Sequence, residues 1–156
     1  MLGDPGREAA VAADWTIESM TQERRLSVLV VDPSVVATDR VRTALGEDYA
    51  VHLASTLAQA LDAVRAQVPD LLVSEVDLSE GNGLQLCEQI RLLPEADQMP
   101  IMLLTERASI HDKVAGFQAG ADDYVVKPFD VRLFHARIRL LCRIKGLEHP
   151  RREIGA

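Results

Sequence analysis

The feature that most constrains this chain is a repeated alternation of short apolar runs with amphipathic helical patterns. The runs are rich in Val, Ile and Leu and are continuously apolar, which is typical of parallel strands covered on both faces. They lie at 28–31, 49–54, 70–75, 101–105 and 124–126. This alternation predicts an α/β fold, a doubly wound parallel sheet of five strands with five helices on its two sides.

The helices are predicted from apolar residues that recur about every three or four positions after each run. Gly46 and Gly120 are placed to end the first and the fourth helix, and Ser55 or Thr56 to begin the second. The apolar stripes of the five helices are, in chain order, Ala37, Val41, Ala44 and Leu45; Leu57, Ala60, Leu61 and Val64; Leu84, Cys87 and Ile90; Ile110, Val114 and Phe117; and Phe134, Ile138 and Leu141.

Composition sets the size and the surroundings of this fold. The chain has 156 residues, of which 47% are apolar, which suits one domain with tails. The net charge of −7 argues against direct binding of nucleic acid, and no apolar run is long enough to span a membrane. The N-terminus lacks the apolar core of a secretory signal, so we expect a cytoplasmic protein. We expect a flexible tail over 1–25, the folded domain over 26–146, and a tail or the start of a linker over 147–156.

The cysteines and histidines do not indicate a metal site. Cys87 and Cys142 lie inside apolar helical patterns, far apart and without the spacing of a metal-binding pair. We interpret them as small buried apolar residues. The four histidines are scattered along the chain, so a zinc site is not expected.

A polar side chain ends or follows four of the predicted strands. Asp32 follows the first strand, Glu75 ends the third, Thr105 ends the fourth and Lys127 follows the fifth. The carboxyl ends of parallel strands meet at one edge of the sheet, where such folds bind ligands. The sequence therefore predicts a small patch that combines two carboxylates, a hydroxyl and an ammonium group.

These strand ends and their flanking residues resemble the receiver domain of bacterial two-component response regulators. The resemblance covers about residues 26–146 and implies a flavodoxin-like fold with strand order 2-1-3-4-5, and a role in signal transduction that is not enzymatic. It is carried by the segments VLVVD at 28–32, PDLLVSE at 69–75, GLQLC at 83–87, LLT at 103–105 and GADDYVVKPF at 120–129.

The resemblance also implies roles for individual residues. In this family an aspartate at the end of the third strand accepts a phosphoryl group from a kinase histidine, and two acids after the first strand hold Mg²⁺. Asp32 matches the first of these acids. Thr105 matches the hydroxyl that contacts the phosphoryl group, and Lys127 matches the lysine that pairs with it. Tyr124 matches the aromatic residue that changes position on activation.

Two positions depart from the family pattern and suggest a degenerate receiver. Pro33 replaces the second acid, which removes a ligand that Mg²⁺ would use. Glu75 replaces the acceptor aspartate, and its extra methylene displaces the carboxylate. A misplacement of ~1 Å between reacting atoms can slow phosphoryl transfer ~100-fold. We therefore expect no cofactor, with Mg²⁺ held by Asp32 and Glu75 only if weak binding persists, and phosphorylation that is lost or very slow.

The role of Glu75 is left open between three hypotheses. Its carboxylate imitates the phosphorylated aspartate near Thr105 and Lys127, or it is an inert partner of Lys127 in a retained scaffold. In the third hypothesis the site still accepts a phosphoryl group, on Glu75 or on Asp77, which an extended backbone would point to the same side. A carboxylate-nucleophile hydrolase is disfavoured because no insertion is long enough to form a substrate cap.

The family's usual output surface predicts where a partner binds. It comprises the fourth helix, fifth strand and fifth helix, here about residues 109–119, 123–127 and 130–146, and is called the output face below. We expect a protein partner on this face, with a homodimer as one form of it, and neither nucleic acid nor membrane. The chain is then either a receiver that acts alone through protein contacts, or the N-terminal part of a longer regulator with an effector domain.

Overall fold

The structure is a computed structural model that describes residues 25–147. The predicted flexible tail over 1–25 and the predicted C-terminal segment over 147–156 therefore lie, apart from Arg25 and Leu147, outside the described residues. In the part of the chain that the structure does describe, no helix is both long and apolar enough to cross a membrane.

Five strands and five helices alternate along the described range, as the sequence predicts. The strands are β1 (Leu26–Val31), β2 (Tyr49–Ala54), β3 (Leu71–Ser74), β4 (Ile101–Thr105) and β5 (Asp123–Val126). The helices are α1 (Val35–Leu45), α2 (Leu57–Ala66), α3 (Gly83–Arg91), α4 (Ile110–Ala119) and α5 (Val131–Ile144). A short 3₁₀ helix (Gly46–Asp48) connects α1 to β2.

The strands form one parallel sheet in the order β2-β1-β3-β4-β5, which confirms the predicted fold class and strand order. In the register, Val31 pairs with Ser74, and Thr105 pairs with Val126. Because the strands run the same way and end in step, the residues that follow β1, β3 and β5 reach the same edge as Thr105.

Two apolar cores cover the two faces of the sheet. Side chains alternate between them along each strand: Leu29 and Val31 of β1 pack on the side of α2 and α3, whereas Val28 and Val30 pack on the side of α1 and α5. All four are almost fully buried. This two-sided burial is the physical reason that the strands read as continuous apolar runs.

Each helix in the described range begins at a side chain that accepts a hydrogen bond from a backbone N–H of its first turn. Such caps satisfy N–H groups that would otherwise lack a partner within the helix. The capping residues are Ser34, Thr56, Asn82, Ser109 and Asp130. They lie in the loops that leave the carboxyl edge of the sheet, so the helices start beside the predicted patch.

The predicted stripes of α1, α2, α3 and α5 face the sheet, with small shifts. Thr38 is buried on α1 while Ala37 is half-buried, and Leu86 is buried on α3 while Leu84 is half-buried. Cys87 and Cys142 are free and buried, which confirms their interpretation as small apolar residues.

Helix α4 departs from this rule, because its apolar stripe faces outward. Gly116 is buried there, and a Cβ at that position would lie only 2.9 Å from atoms of Leu103 and Tyr124. The helix therefore approaches the sheet through its small residues and leaves its large ones uncovered. The exposed residues are Ile110, Val114 and Phe117.

Two adjacent leucines of α5 test this account of the core. Leu141 is 5% exposed, whereas Leu140 is 47% exposed. Leu141→Ala should lower the free energy of unfolding by about 3 kcal/mol, because it removes buried methyl groups and leaves a cavity. Leu140→Ala makes the same chemical change and should cost less than about 1 kcal/mol. Urea denaturation of both variants measures the difference, and equal losses would contradict the assigned packing of α5.

Candidate functional site

Backbone hydrogen bonds fix the residues that follow the strands in the predicted patch. The Asp32 N–H donates to the Ala54 carbonyl (3.0 Å), and the Glu75 N–H donates to the Val31 carbonyl (2.8 Å). The Lys127 N–H donates to the Thr105 carbonyl at 2.8 Å. These bonds continue the ladders of the sheet by one residue. The structure thus brings Asp32, Glu75, Thr105 and Lys127 to one edge.

Asp32 and Lys127 form the tightest ionic contact of the patch. The Lys127 Nζ lies 2.7 Å from Asp32 Oδ2, and the two side chains are 17% and 8% exposed. The other carboxylate oxygen, Oδ1, accepts the Ser34 N–H at 2.9 Å. Both oxygens of Asp32 are therefore engaged within the protein, by one ammonium group and one backbone amide.

Glu75 is held mainly by groups other than Lys127. Its Oε2 accepts the N–H of Val76 (2.9 Å), its carboxyl group interacts with the Thr105 hydroxyl, and its Oε1 lies 4.0 Å from Lys127 Nζ. Burial raises the pKa of Glu75, while the hydrogen bond with Thr105 and the charge of Lys127 act against that rise. The lysine is therefore close to both acids but hydrogen-bonds to Asp32.

The loop after β3 holds Glu75 through a close backbone approach. The Gly83 N–H donates to the Val76 carbonyl at 2.8 Å, and a Cβ at Gly83 would collide with the Glu75 carbonyl oxygen. Only glycine allows α3 to begin so near to this loop. The start of α3 thus fixes where the Glu75 side chain originates.

Thr105 and Tyr124 connect the patch to the β4–α4 loop. Thr105 is fully buried, and its Oγ1 is 3.4 Å from the Arg107 N–H. Tyr124 is 5% exposed, and its hydroxyl donates to the Arg107 carbonyl at 2.7 Å. Burial raises the pKa of the Tyr124 hydroxyl. Tyr124 therefore lies inside the domain, with its polar end on this loop.

Asp77 does not join the Asp32–Lys127 pair; it binds Arg107. Arg107 donates from Nε and Nη2 to the Asp77 carboxylate at distances of 2.7–3.1 Å, which is a two-pronged contact. These hydrogen bonds lower the pKa of Asp77. Sequence reasoning missed Arg107, although a signal existed: it lies two residues past Thr105, as Asp77 lies two residues past Glu75.

The patch fits a Mg²⁺ ion poorly. Mg²⁺ requires several oxygen ligands in near-octahedral geometry. Asp32 already binds Lys127 and Ser34, and Pro33 offers no side-chain oxygen. Between residues 25 and 147, no group of three or more His, Cys, Asp or Glu side chains is arranged to hold a metal ion.

The Asp32–Lys127 pair gives a testable prediction. Lys127→Met should lower the free energy of unfolding by about 3 kcal/mol, because it leaves the buried Asp32 carboxylate without its cation. Lys145→Met is a matched control, since Lys145 is similarly buried and lies 3.2 Å from Asp122. Asp122 keeps its contact with Arg91 at 3.0 Å, so that loss should stay below about 1 kcal/mol. Denaturation curves that rank the two variants in reverse would contradict this account.

Comparisons with known proteins agree on one family. Residues 28–139 match the response regulator receiver domain. The response regulator MprA of Mycobacterium avium is 40% identical over 119 residues, covering 76% of this chain and 51% of that protein. The chain thus spans about half the length of the curated relatives it matches.

Solved structures give the same result. A candidate response regulator from Chloroflexus aurantiacus superimposes with a TM-score of 0.74 at 32% identity, covering 76% of this chain and 98% of its own. A CheY-like receiver domain protein from Methanospirillum hungatei superimposes with a TM-score of 0.72 at 25% identity, covering 78% of this chain and 97% of that chain. Receiver domains are typically non-enzymatic modules that contact other proteins in phosphorelay signalling. The chain belongs to the response regulator receiver family of two-component signal transduction.

Proposed function

We propose that this receiver signals through protein contacts without phosphorylation of Glu75. The observation that carries the proposal is the hydrogen-bonding arrangement of the patch. Glu75 occupies the acceptor position against the Thr105 hydroxyl, and the first metal-site acid, Asp32, is bound to Lys127 at 2.7 Å. Lys127, which would pair with an incoming phosphoryl group, is thus already bound to one carboxylate of the chain, and a second carboxylate lies 4.0 Å from it.

Weak Mg²⁺ binding is part of this proposal. With Pro33 in place of an acid, a metal ion would have to recruit Asp32, and this would require Asp32 to give up Lys127. The lysine side chain is only 17% exposed, so an unpaired ammonium group there would be costly. This competition argues against a strong metal site, and phosphoryl transfer in this family uses Mg²⁺.

Of the two phosphorylation-independent hypotheses, the contacts favour the one in which Glu75 imitates the phosphorylated state. Its carboxyl group interacts with the Thr105 hydroxyl, and Lys127 is 4.0 Å away. Tyr124 is buried at the same time, with its hydroxyl bound to the loop that follows Thr105. In the mechanism proposed here, the Glu75 carboxylate beside Thr105 and the buried position of Tyr124 belong to the same signalling conformation. An inert Glu75 would need no contact with Thr105.

Phosphorylation gives the direct test. The natural chain, incubated with a small phosphodonor and Mg²⁺ and then weighed by intact mass spectrometry, should gain no phosphoryl group. Glu75→Asp alone should remain slow, because Pro33 still leaves the metal site incomplete. Pro33→Asp combined with Glu75→Asp should react at least about 100-fold faster than the natural chain, since it corrects both the placement and the metal ligand.

The chain offers a matched control for this experiment. Pro94 and Glu95 are exposed and lie away from the patch, so Pro94→Asp with Glu95→Asp makes the same two chemical changes elsewhere. This control should behave like the natural chain. Rapid phosphorylation of the natural protein would contradict the proposal, and loss of that reaction in Glu75→Gln or Asp77→Asn would identify the acceptor.

The alternative function is a receiver that still accepts a phosphoryl group, on Glu75 or on Asp77. Asp77 is 56% exposed, so a phosphodonor can reach it. Its carboxylate is held by Arg107 at 2.7 Å, however, and the bound guanidinium would compete with any metal ion. This contact is the reason that we rank the alternative second.

We propose that the output face binds a second copy of this chain. A groove of about 220 Å³ lies between α4, β5 and α5, and it is lined by Lys113 of α4 and Leu133 of α5, among others. Phe117 and Leu133 are 49% and 55% exposed. The face also carries both signs of charge, as in the Asp123–Arg137 ion pair at 3.3 Å. Apolar patches with mixed charge suit self-complementary contacts between two copies.

Charge substitutions test this face. Phe117→Glu and Leu133→Glu should each weaken self-association at least about tenfold, because each places an unpaired carboxylate in an apolar contact. Leu92→Glu is the control, since Leu92 is 80% exposed at the end of α3, outside the output face. Sedimentation velocity over a range of concentrations measures the dissociation constants. Equal effects at all three positions, or a natural chain that stays monomeric, would contradict the proposal.

The curated relatives are about twice as long as the matched region of this chain. We therefore keep the proposal that this receiver can be the N-terminal part of a longer response regulator with an effector domain. The output face would then pass its state to that domain through α5.

A further inference from the structure

An ion pair between Arg107 and Asp77 connects the β4–α4 loop to the β3–α3 loop. Arg107 follows β4, Asp77 follows β3, and the guanidinium contacts both carboxylate oxygens at 2.7–3.1 Å. Arg107 Nη1 also lies 3.8 Å from Asp112, in the first turn of α4. One side chain thus joins the loop after Glu75, the loop after Thr105 and the start of α4.

The main chain of Arg107 contacts the two residues that the family uses to relay its state. Its carbonyl accepts the Tyr124 hydroxyl at 2.7 Å, and its N–H lies 3.4 Å from the Thr105 hydroxyl oxygen. A displacement of Arg107 would therefore remove the partner of a buried hydroxyl. Leaving that hydroxyl unpaired inside the domain is unfavourable, so Tyr124 would tend to move outward.

We propose that Arg107 is a positioning residue, whose ion pair with Asp77 keeps the β4–α4 loop in the place that holds Tyr124 buried. The ion pair thereby biases the conformation of the output face, where Tyr124 lies beside Phe117 with ring centroids 6.5 Å apart. This inference rests on the proposed function of that face. It assigns Asp77 a structural task in place of metal binding or phosphoryl acceptance.

The strength of the effect follows from exposure. The Arg107 and Asp77 side chains are 49% and 56% exposed, so the pair is weak compared with the Asp32–Lys127 pair. Exposed ion pairs of good geometry shift an equilibrium by up to about fivefold. The ion pair is therefore suited to bias the position of Tyr124, and salt should reduce that bias.

The experiment observes Tyr124 directly in the full chain. The chain has two tyrosines, so incorporation of 3-fluorotyrosine gives two fluorine NMR signals, and Tyr124→Phe identifies which belongs to Tyr124. Arg107→Ala and Asp77→Asn should each raise the ratio of displaced to buried Tyr124 by up to about fivefold. The Tyr49 signal should not move, because Tyr49 packs against His135 in another part of the domain.

A charge exchange separates the ion pair from a general loss of structure. Asp77→Arg combined with Arg107→Asp restores opposite charges across the two loops and should return the Tyr124 signal toward that of the natural chain. Arg42→Ala is the control, because it removes another exposed arginine, which lies on α1 and outside the output face. That variant should leave the Tyr124 signal unchanged.

The outcomes distinguish this inference from the proposed function. The fluorine signals are recorded without a phosphodonor, so phosphorylation of the natural chain would overturn the proposed function and leave this test intact. An unchanged Tyr124 signal in Arg107→Ala and Asp77→Asn would overturn the positioning role. A charge exchange that behaves like the single variants would overturn it as well.

Discussion

The parallel pairing of β1, β3, β4 and β5 is the constraint on which the site depends. It brings Asp32 and Lys127, which are 95 residues apart in the sequence, to a distance of 2.7 Å. The same pairing places Glu75 and Thr105 beside them, because each strand ends in step with its neighbour. A shift of one strand by a single residue would turn these side chains to the opposite faces and would bury charge in the apolar cores.

Within this patch the two carboxylates compete for one lysine. Lys127 forms its hydrogen bond with Asp32, and Glu75 is left with the Val76 amide, the Thr105 hydroxyl and a longer ionic contact of 4.0 Å. Burial raises the pKa of Glu75, and the charge of Lys127 at 4.0 Å acts against that rise. The substitution from aspartate therefore changes which groups are paired as well as where a carboxylate lies.

The patch is joined to the output face by short contacts. Tyr124 is buried between them, with its hydroxyl on Arg107 and its ring near Phe117. Helix α4 packs on the sheet through Gly116, and its larger apolar residues remain exposed. An element that packs through small residues can shift at modest cost, because few apolar contacts are lost when it moves. This property suits a surface whose conformation reports the state of the patch.

The sequence by itself determined the five strands, the five helices and the convergence of Asp32, Glu75, Thr105 and Lys127. The strands and helices follow from the spacing of apolar residues, which is a local property of the sequence. General topology rules then place the strands in one parallel sheet, so the residues at their carboxyl ends meet at one edge. The exposure of the apolar residues of α4 could not be predicted, because their spacing resembles that of a buried stripe. They face solvent because α4 packs on the sheet through Gly116. The tertiary structure alone decided that Lys127 binds Asp32 and that Arg107 binds Asp77. Those choices depend on differences of about an ångström between side chains from distant parts of the chain, which no spacing in the sequence specifies.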